Sequence, residues 1–284
     1  MYWNFVPFDQ KNFPMLAARG ECTWTGNSDL YGIGVRVGLY AQWTATLLAT
    51  VFDPKSENSL RMTNLIIQFA IFIGLCTEST ENASAVGSII TQFLLCGSLS
   101  SVTGDGISNL NKLSGLMRLA FYMALSAYGC WFWFVGLQTM IHPECDPVAF
   151  FGRASFTGWF QSLGKALSVI GLVSCTCLCA VWGFYVYQRF RSGWSEGFRE
   201  ERKRPRVEVV LMMLSIGLLV FSAVTVEYLV SENRLNDKTN TVDSVGQLIP
   251  LIAGTVACGM MLWRVVMDGL FWRKRCWFFC GYHL

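Results

Sequence analysis

Seven long apolar runs, separated by short polar stretches, constrain this chain more than any other feature. They lie at Leu30–Val51, Leu60–Thr77, Ala83–Val102, Gly115–Met140, Leu163–Gln188, Val207–Val230 and Val245–Leu270. A helix needs about 20 mostly apolar residues to cross a bilayer, and nearly every run meets that length. The second is short and the third is rich in Ser and Gly. They are separated only by Glu78 to Asn82, which predicts a tight helical hairpin. Charged residues make up 14% of the chain, against roughly 25% in soluble domains. With a mean hydropathy of +0.40, the expectation is an all-α, polytopic integral membrane protein with seven transmembrane helices. Disorder is excluded by the hydrophobicity. A net charge of +3 argues against nucleic acid as a partner.

No secretory signal peptide is read in the first thirty residues, so the first helix is expected to act as the insertion signal. Orientation follows from Lys and Arg. One side holds Lys55, Arg61, Lys112, Arg118, Arg189, Arg191, Arg199, Arg202, Lys203, Arg204, Arg206, Arg273, Lys274 and Arg275. The other holds only Lys11, Arg19, Arg153, Lys165, Arg234 and Lys238. The expected organisation is a lumenal or extracellular N-terminal segment (1–29), a seven-helix bundle (30–270) and a cytoplasmic tail (271–284). The membrane is the endoplasmic reticulum or the plasma membrane. The Arg199–Arg206 run reads chiefly as a topology determinant in a solvated loop, with anionic lipid binding as the alternative.

Most of the eleven cysteines lie inside apolar runs and read as small apolar residues. Cys175, Cys177 and Cys179 do not share one helical face and have no nearby His, so no metal is expected there. Cys22 and Cys145 both fall on the expected lumenal side and form the candidate disulfide. Cys276 and Cys280 read as reduced thiols. The Asn82 sequon sits in a tight hairpin against the membrane, and no glycan is expected. Nucleotide-binding, metalloprotease and hydrolase signatures are lacking, and no cofactor is expected.

Polar residues inside spans are costly and usually face a bundle interior or a wet cavity. On a helical period Asp29, Gly32, Arg36, Tyr40 and Trp43 form one stripe. Arg36 needs a partner at that depth, either as part of a cavity lining or as a structural clamp. Gly34 and Gly38 form a small-xxx-small pair that lets another helix approach closely. The carboxylates Asp29, Glu78, Glu81 and Glu227 fall near the lumenal mouth. A carboxylic acid kept poorly solvated there would have a raised pKa and could donate a proton. Asp29, Glu78 and Glu227 are the candidate catalytic acids; Glu81 reads as an ordinary helix-end residue. Arg36, Tyr40, Gln68, Gln92, Tyr122 and Gln247 are the candidate substrate-binding residues. Arg264 and Asp268, four apart, read as an interfacial pair, and Asp105 reads as a turn residue.

The stretch Gly26-Asn-Ser-Asp-Leu-Tyr-Gly-Ile-Gly-Val-Arg36, continuing to Tyr40 and Gln42, together with Gly246-Gln-Leu-Ile-Pro250, resembles a large family of fungal multi-pass membrane proteins. Some of its members are associated with secondary metabolism. In architecture the chain is also similar to fungal membrane-bound terpene cyclases, which use acidic residues to protonate an epoxide or alkene of a prenylated substrate. That likeness implies a lipophilic small-molecule substrate, with Glu78 or Glu227 giving the proton and aromatic faces carrying the cation. A transporter, a seven-helix receptor or sensor, and a non-enzymatic membrane protein are the alternatives. The lack of an internal repeat argues against the first of these.

Overall fold

The computed structural model describes residues 26–78, 84–97, 113–140, 148–150, 154–155, 158–192, 205–233, 235, 239–242 and 244–280. Cys22, Cys145, Glu81, Asn82, Asp105 and most of the Arg199–Arg206 run lie outside them, as do the side chains of Asp268, Cys276 and Cys280.

Asn27 opens the described chain as a helix cap, its side-chain oxygen accepting from the Asp29 N–H at 3.1 Å. The turn it starts, α1 (Ser28–Tyr31), stops at Gly32, which is extended. α2 (Ile33–Phe52) begins directly afterwards. The predicted stripe is therefore broken: Asp29 belongs to a separate turn and does not lie on the face of α2 that carries Arg36 and Tyr40. Pro54 stands at the start of α3 (Pro54–Thr77), where its missing N–H costs nothing and its fixed φ suits a first turn. α3 is longer than the predicted Leu60–Thr77 segment, because the polar residues Lys55 to Asn58 are helical, not loop.

α4 (Ala85–Gly97) follows, then α5 (Leu113–Trp131). α5 passes through a π-helical turn (Phe132–Gly136) into α6 (Leu137–Met140). Two short antiparallel strands, β1 (Val148–Phe150) and β2 (Ala154–Ser155), add a small hairpin to the expected all-helical architecture. Gly158, with φ of 120°, adopts a left-handed conformation that other residues rarely take. It leads into α7 (Trp159–Ser192), α8 (Pro205–Glu232) and α9 (Val245–Cys280).

The described residues of all seven apolar runs are helical, apart from a break at Gly32 in the first and the residue before α4 in the third. Among the described residues, α3, the α5–α6 run, α7, α8 and α9 are long and apolar enough to cross a membrane. α2 has the length, but Arg36, Tyr40 and Gln42 lower its hydropathy. The set is compatible with a multi-pass membrane protein.

The core gathers around α2. Val35, Leu39 and Trp43 pack with Leu75 of α3, Ile89 and Ile90 of α4, Phe121 of α5 and Leu229 of α8. α9 seats on the opposite flank of α2 through small residues. A methyl group at Gly38 would overlap the Pro250 carbonyl, and one at Gly254 would overlap the Gly38 carbonyl. A methyl at Gly34 would stand 2.8 Å from the Gln247 carbonyl oxygen. Lipid tails compete equally for apolar surface, so close backbone approach supplies the attraction between membrane helices. α7 lies outermost, with none of its most apolar stretch buried. It touches α5 through Gly171 against Ser126 and Ser168 against Gly129.

The side chain of Asp268, the expected partner of Arg264, lies outside the described residues; at the far end of the α2–α9 pair, Arg264 reaches across to the start of α3. It donates to Asp53, which joins α2 to α3, and to the Ser56 hydroxyl at 2.6 Å. The Ser56 hydroxyl, donating to Asp53 at 2.7 Å, and then Arg264 hold the Asp53 carboxyl below its usual range against some desolvation.

Gly38→Val and Gly254→Val are expected to destabilise the protein by about 3 kcal/mol or more, the upper end of overpacking costs, because backbone is what they strike. Gly183→Ala, where nothing lies within 4 Å, should be neutral or stabilising by up to about 1 kcal/mol. Thermal unfolding in detergent separates these outcomes. A depressed folded-state pKa stabilises above the unfolded value and loses that contribution as pH falls through the folded one. The stability difference between the wild type and Asp53→Asn should therefore be full near neutral pH and vanish on acidification below the ordinary Asp range of about 3.9.

Candidate functional site

The end of the bundle where α1, α2 and α9 begin and α3 and α8 finish carries a connected set of polar side chains. Arg36 is at its centre, with 2% of its side chain exposed. Its Nη1 donates to Glu227 Oε2, and its Nη2 donates to Asn240 Oδ1 at 3.0 Å. The Tyr40 hydroxyl, one turn along α2, donates to Glu227 Oε1 at 3.2 Å. Both carboxylate oxygens therefore accept, the pattern of an ionised group. Glu227 lies near the C-terminal end of α8, where the helix dipole disfavours negative charge, and the Arg36 guanidinium compensates. Glu227 itself is 53% exposed. The arrangement is a buried cation presenting a half-exposed carboxylate.

The other acids at this end are also tied. Asp29 accepts from the Ser244 hydroxyl just before α9. Glu78, at the end of α3, accepts from Asn27 Nδ2 at 3.0 Å. The Asn27 N–H in turn donates to the Tyr31 hydroxyl at 3.0 Å. Gln247 is fully buried and joins the two sequence motifs. Its Oε1 accepts from the Gly34 N–H at 3.3 Å, and its Nε2 donates to the Thr241 carbonyl at 3.1 Å. The Gly34 N–H belongs to the first turn of α2, where backbone donors lack partners within the helix, so a side chain of α9 caps α2. The Gly26–Gln42 and Gly246–Pro250 stretches thus converge on one place.

Of the residues singled out in the sequence, Asp29, Glu78, Glu227, Arg36, Tyr40 and Gln247 come together here. Gln68, Gln92 and Tyr122 do not. Gln68 donates to Asn64 Oδ1 at 2.7 Å within α3. Gln92 lies on α4 near Gly129 of α5. Tyr122 is buried against Phe121, with ring centroids 5.3 Å apart. Asn27, which lies in the singled-out Gly26–Arg36 stretch, completes the mouth together with Asn240 and Ser244, which carried no sequence signal, being ordinary polar residues before α9.

A second polar region was missed. Glu57, Arg61, Asn64 and Gln68 are all buried along one face of α3. Glu57 pairs with Arg61 and accepts from Thr50 of α2 at 2.8 Å. Arg118 is buried on α5, with its Nε donating to the Ser114 carbonyl at 3.3 Å. Arg61 and Arg118, counted in the sequence for orientation, both have buried side chains. The signal was available: positions 57, 61, 64 and 68 repeat with helical spacing.

Comparison with known protein families, curated proteins and solved structures returns no match. The site is therefore read from its own chemistry.

The unequal exposure of Arg36 and Glu227 predicts unequal costs on separation. Glu227→Leu strands a buried guanidinium and should cost about 3–5 kcal/mol. Arg36→Met leaves a carboxylate that water reaches and should cost about 1 kcal/mol in electrostatics. The double variant should be more stable than Glu227→Leu alone, as read by unfolding of all three proteins in the same detergent.

Proposed function

We propose that this chain is a seven-span integral membrane protein, with its N-terminus lumenal or extracellular and its C-terminus cytoplasmic, and that its polar mouth acts on a lipophilic substrate. The excess of Lys and Arg on one side and the five described helices long and apolar enough to cross a membrane support the topology. The reaction we propose is an acid-initiated cyclisation of terpene cyclase type, in the setting of secondary metabolism. The observation that carries the proposal is the half-exposed Glu227 carboxylate held on the buried Arg36.

Such a reaction needs a proton donor, shielding of the cation and a final proton acceptor. Glu78 or Asp29, in protonated form, gives the proton to the alkene or epoxide. The carbocation that results is stabilised by the negative charge of Glu227 and by aromatic faces. Tyr40 and Trp43 supply adjacent rings on α2, with centroids 5.5 Å apart. Glu227 then removes a proton from the cyclised cation, so the product is an isomer of the substrate. Tyr40 and Arg36 hold the Glu227 carboxylate in place throughout.

Co-expression in yeast with farnesyl- or geranylgeranyl-linked epoxide precursors, followed by mass analysis, tests the reading. A new isomer of unchanged mass should form, and Glu227→Gln should lower its yield by about 100-fold or more, as loss of an acid–base group does. Failure to form an isomer across several precursors, in membranes that contain the folded protein, would leave the Arg36–Glu227 pair as a clamp in a non-enzymatic, transport or sensing protein.

A further inference from the structure

α2 and α8 are joined at the mouth, where Arg36 and Tyr40 both donate to Glu227. Below that point the two helices border an open seam. On α2, positions 44, 47 and 51 continue the edge that Tyr40 begins, at helical spacing. On α8, positions 224, 220 and 216 continue the edge that Glu227 begins. α2 runs away from the mouth and α8 runs toward it, so both edges descend from the same hydrogen bond. Neither edge is covered. Thr44 is exposed and Leu47 half-buried. Val51, Val224, Val220 and Ile216 are between 41% and 52% exposed. α4 backs the seam. A methyl at Gly97 would overlap both the Trp43 ring of α2 and the Ser222 hydroxyl of α8, and that hydroxyl donates to the Phe93 carbonyl at 2.6 Å.

The seam is apolar except at its top, and the polar side chains on its edges there can only accept. The Tyr40 hydroxyl hydrogen is given to Glu227 at 3.2 Å. The Thr44 hydroxyl hydrogen is given to the Tyr40 carbonyl at 2.8 Å. Each Glu227 oxygen takes one hydrogen bond and keeps a further acceptor position. A head group seated there must therefore donate, which a carboxylate, an ether or a ketone does not do. Charge chooses among the donors. Over residues 26–36, 78–82 and 227–246, which border the mouth, the sequence carries seven Asp and Glu against three Lys and Arg, and Arg36 is buried. That balance favours a cation, and hydrogen bonds from a cation to a carboxylate are the stronger kind. From Tyr40 to Val51 the edge of α2 is about 17 Å long at 1.5 Å per residue, room for an extended apolar chain.

We propose that the seam between α2 and α8 binds a lipophilic amine. Its protonated nitrogen donates to Glu227, and its apolar chain lies along Leu47 and Val220 toward Val51 and Ile216. This binding requires that Glu227 face a ligand, as the reading of the mouth has it, but not that a cyclisation occur there.

The test uses the full-length protein in nanodiscs of zwitterionic lipid and two photoreactive probes, a diazirine-bearing long-chain primary amine and its N-acetyl derivative. Labelled peptides are mapped by mass spectrometry. The amine should label α2 and α8 saturably and about tenfold more strongly than the acetamide, the margin of a charge-assisted over a neutral hydrogen bond. α7, none of whose most apolar stretch is buried, should be labelled equally by both probes and without saturation. Glu227→Gln keeps an acceptor for Arg36 and should abolish the preference for the amine. Val220→Trp fills the seam away from the ion pair and should lower labelling of α2 and α8 by both probes, a readout that remains if Glu227→Gln fails to fold. Equal labelling of the wild type by the two probes, labelling of α2 and α8 no stronger than that of α7, or a preference for the amine kept in folded Glu227→Gln would overturn the proposal. Saturable amine labelling of a protein that forms no isomer would uphold the seam and count against the cyclisation. Isomer formation without saturable amine labelling would do the opposite.

Discussion

The contact between α2 and α9 sets the positions of most of what has been described. Gly34 and Gly38 on one helix meet the Gln247 and Pro250 backbone on the other, and Gly254 meets Gly38. Every side chain larger than hydrogen at these points strikes backbone, which cannot turn aside as a flexible side chain can. The approach has two consequences beyond packing. It brings Gln247 close enough to accept from the Gly34 N–H, so one helix completes the hydrogen bonding of the other. It also fixes the segment that precedes α9, from which Asn240 reaches Arg36 and Ser244 reaches Asp29.

Arg36 is the most demanding residue in this frame. A guanidinium with almost no exposure needs compensation from charge and from hydrogen bonds together. Glu227 of α8 supplies the charge and Asn240 an additional acceptor. The ion pair therefore ties α8 to a helix pair already locked by glycine. At the opposite end, Asp53 and Ser56 hold Arg264 of α9, and Glu57 ties α2 to α3 through Thr50. Polar links at both ends of α2, with apolar packing between, make it the axis of the bundle. α7 is tied to the bundle by Gln161, whose Nε2 donates to the Trp133 carbonyl at 3.2 Å, and by small residues packed on α5.

Much of this was legible in the sequence, and what was not has a common cause. Apolar length located the five helices long and apolar enough to cross a membrane, because a long hydrophobic run has few other states open to it. The Gly34–Gly38 spacing announced a close helix partner, and the depth of Arg36 announced the need for an acid. Which acid would answer was not legible, since four carboxylates fall near the same mouth; the break at Gly32 places Asp29 on a separate turn, where it accepts from Ser244. The same limit applies to Arg264, whose acceptors Asp53 and Ser56 lie across a helix boundary that the sequence does not show. The buried face of α3 was missed for another reason. The predicted segment began only at Leu60, and the start of α3 at Pro54 carries Glu57 into the buried face beside Arg61.

The convergence of the two terminal motifs can be measured directly. A Cβ placed at Gly246 stands 3.4 Å from the Asp29 Cβ, close to the separation a disulfide requires. With cysteines at positions 29 and 246, mild oxidation of the membrane-embedded protein should form a cross-link between the two ends of the chain in high yield. Mass spectrometry of the digested protein would identify the joined peptides. Absence of that cross-link, in a variant that is folded and whose two cysteines are both reactive, would contradict the account of α2 and α9 as the pair that builds the site.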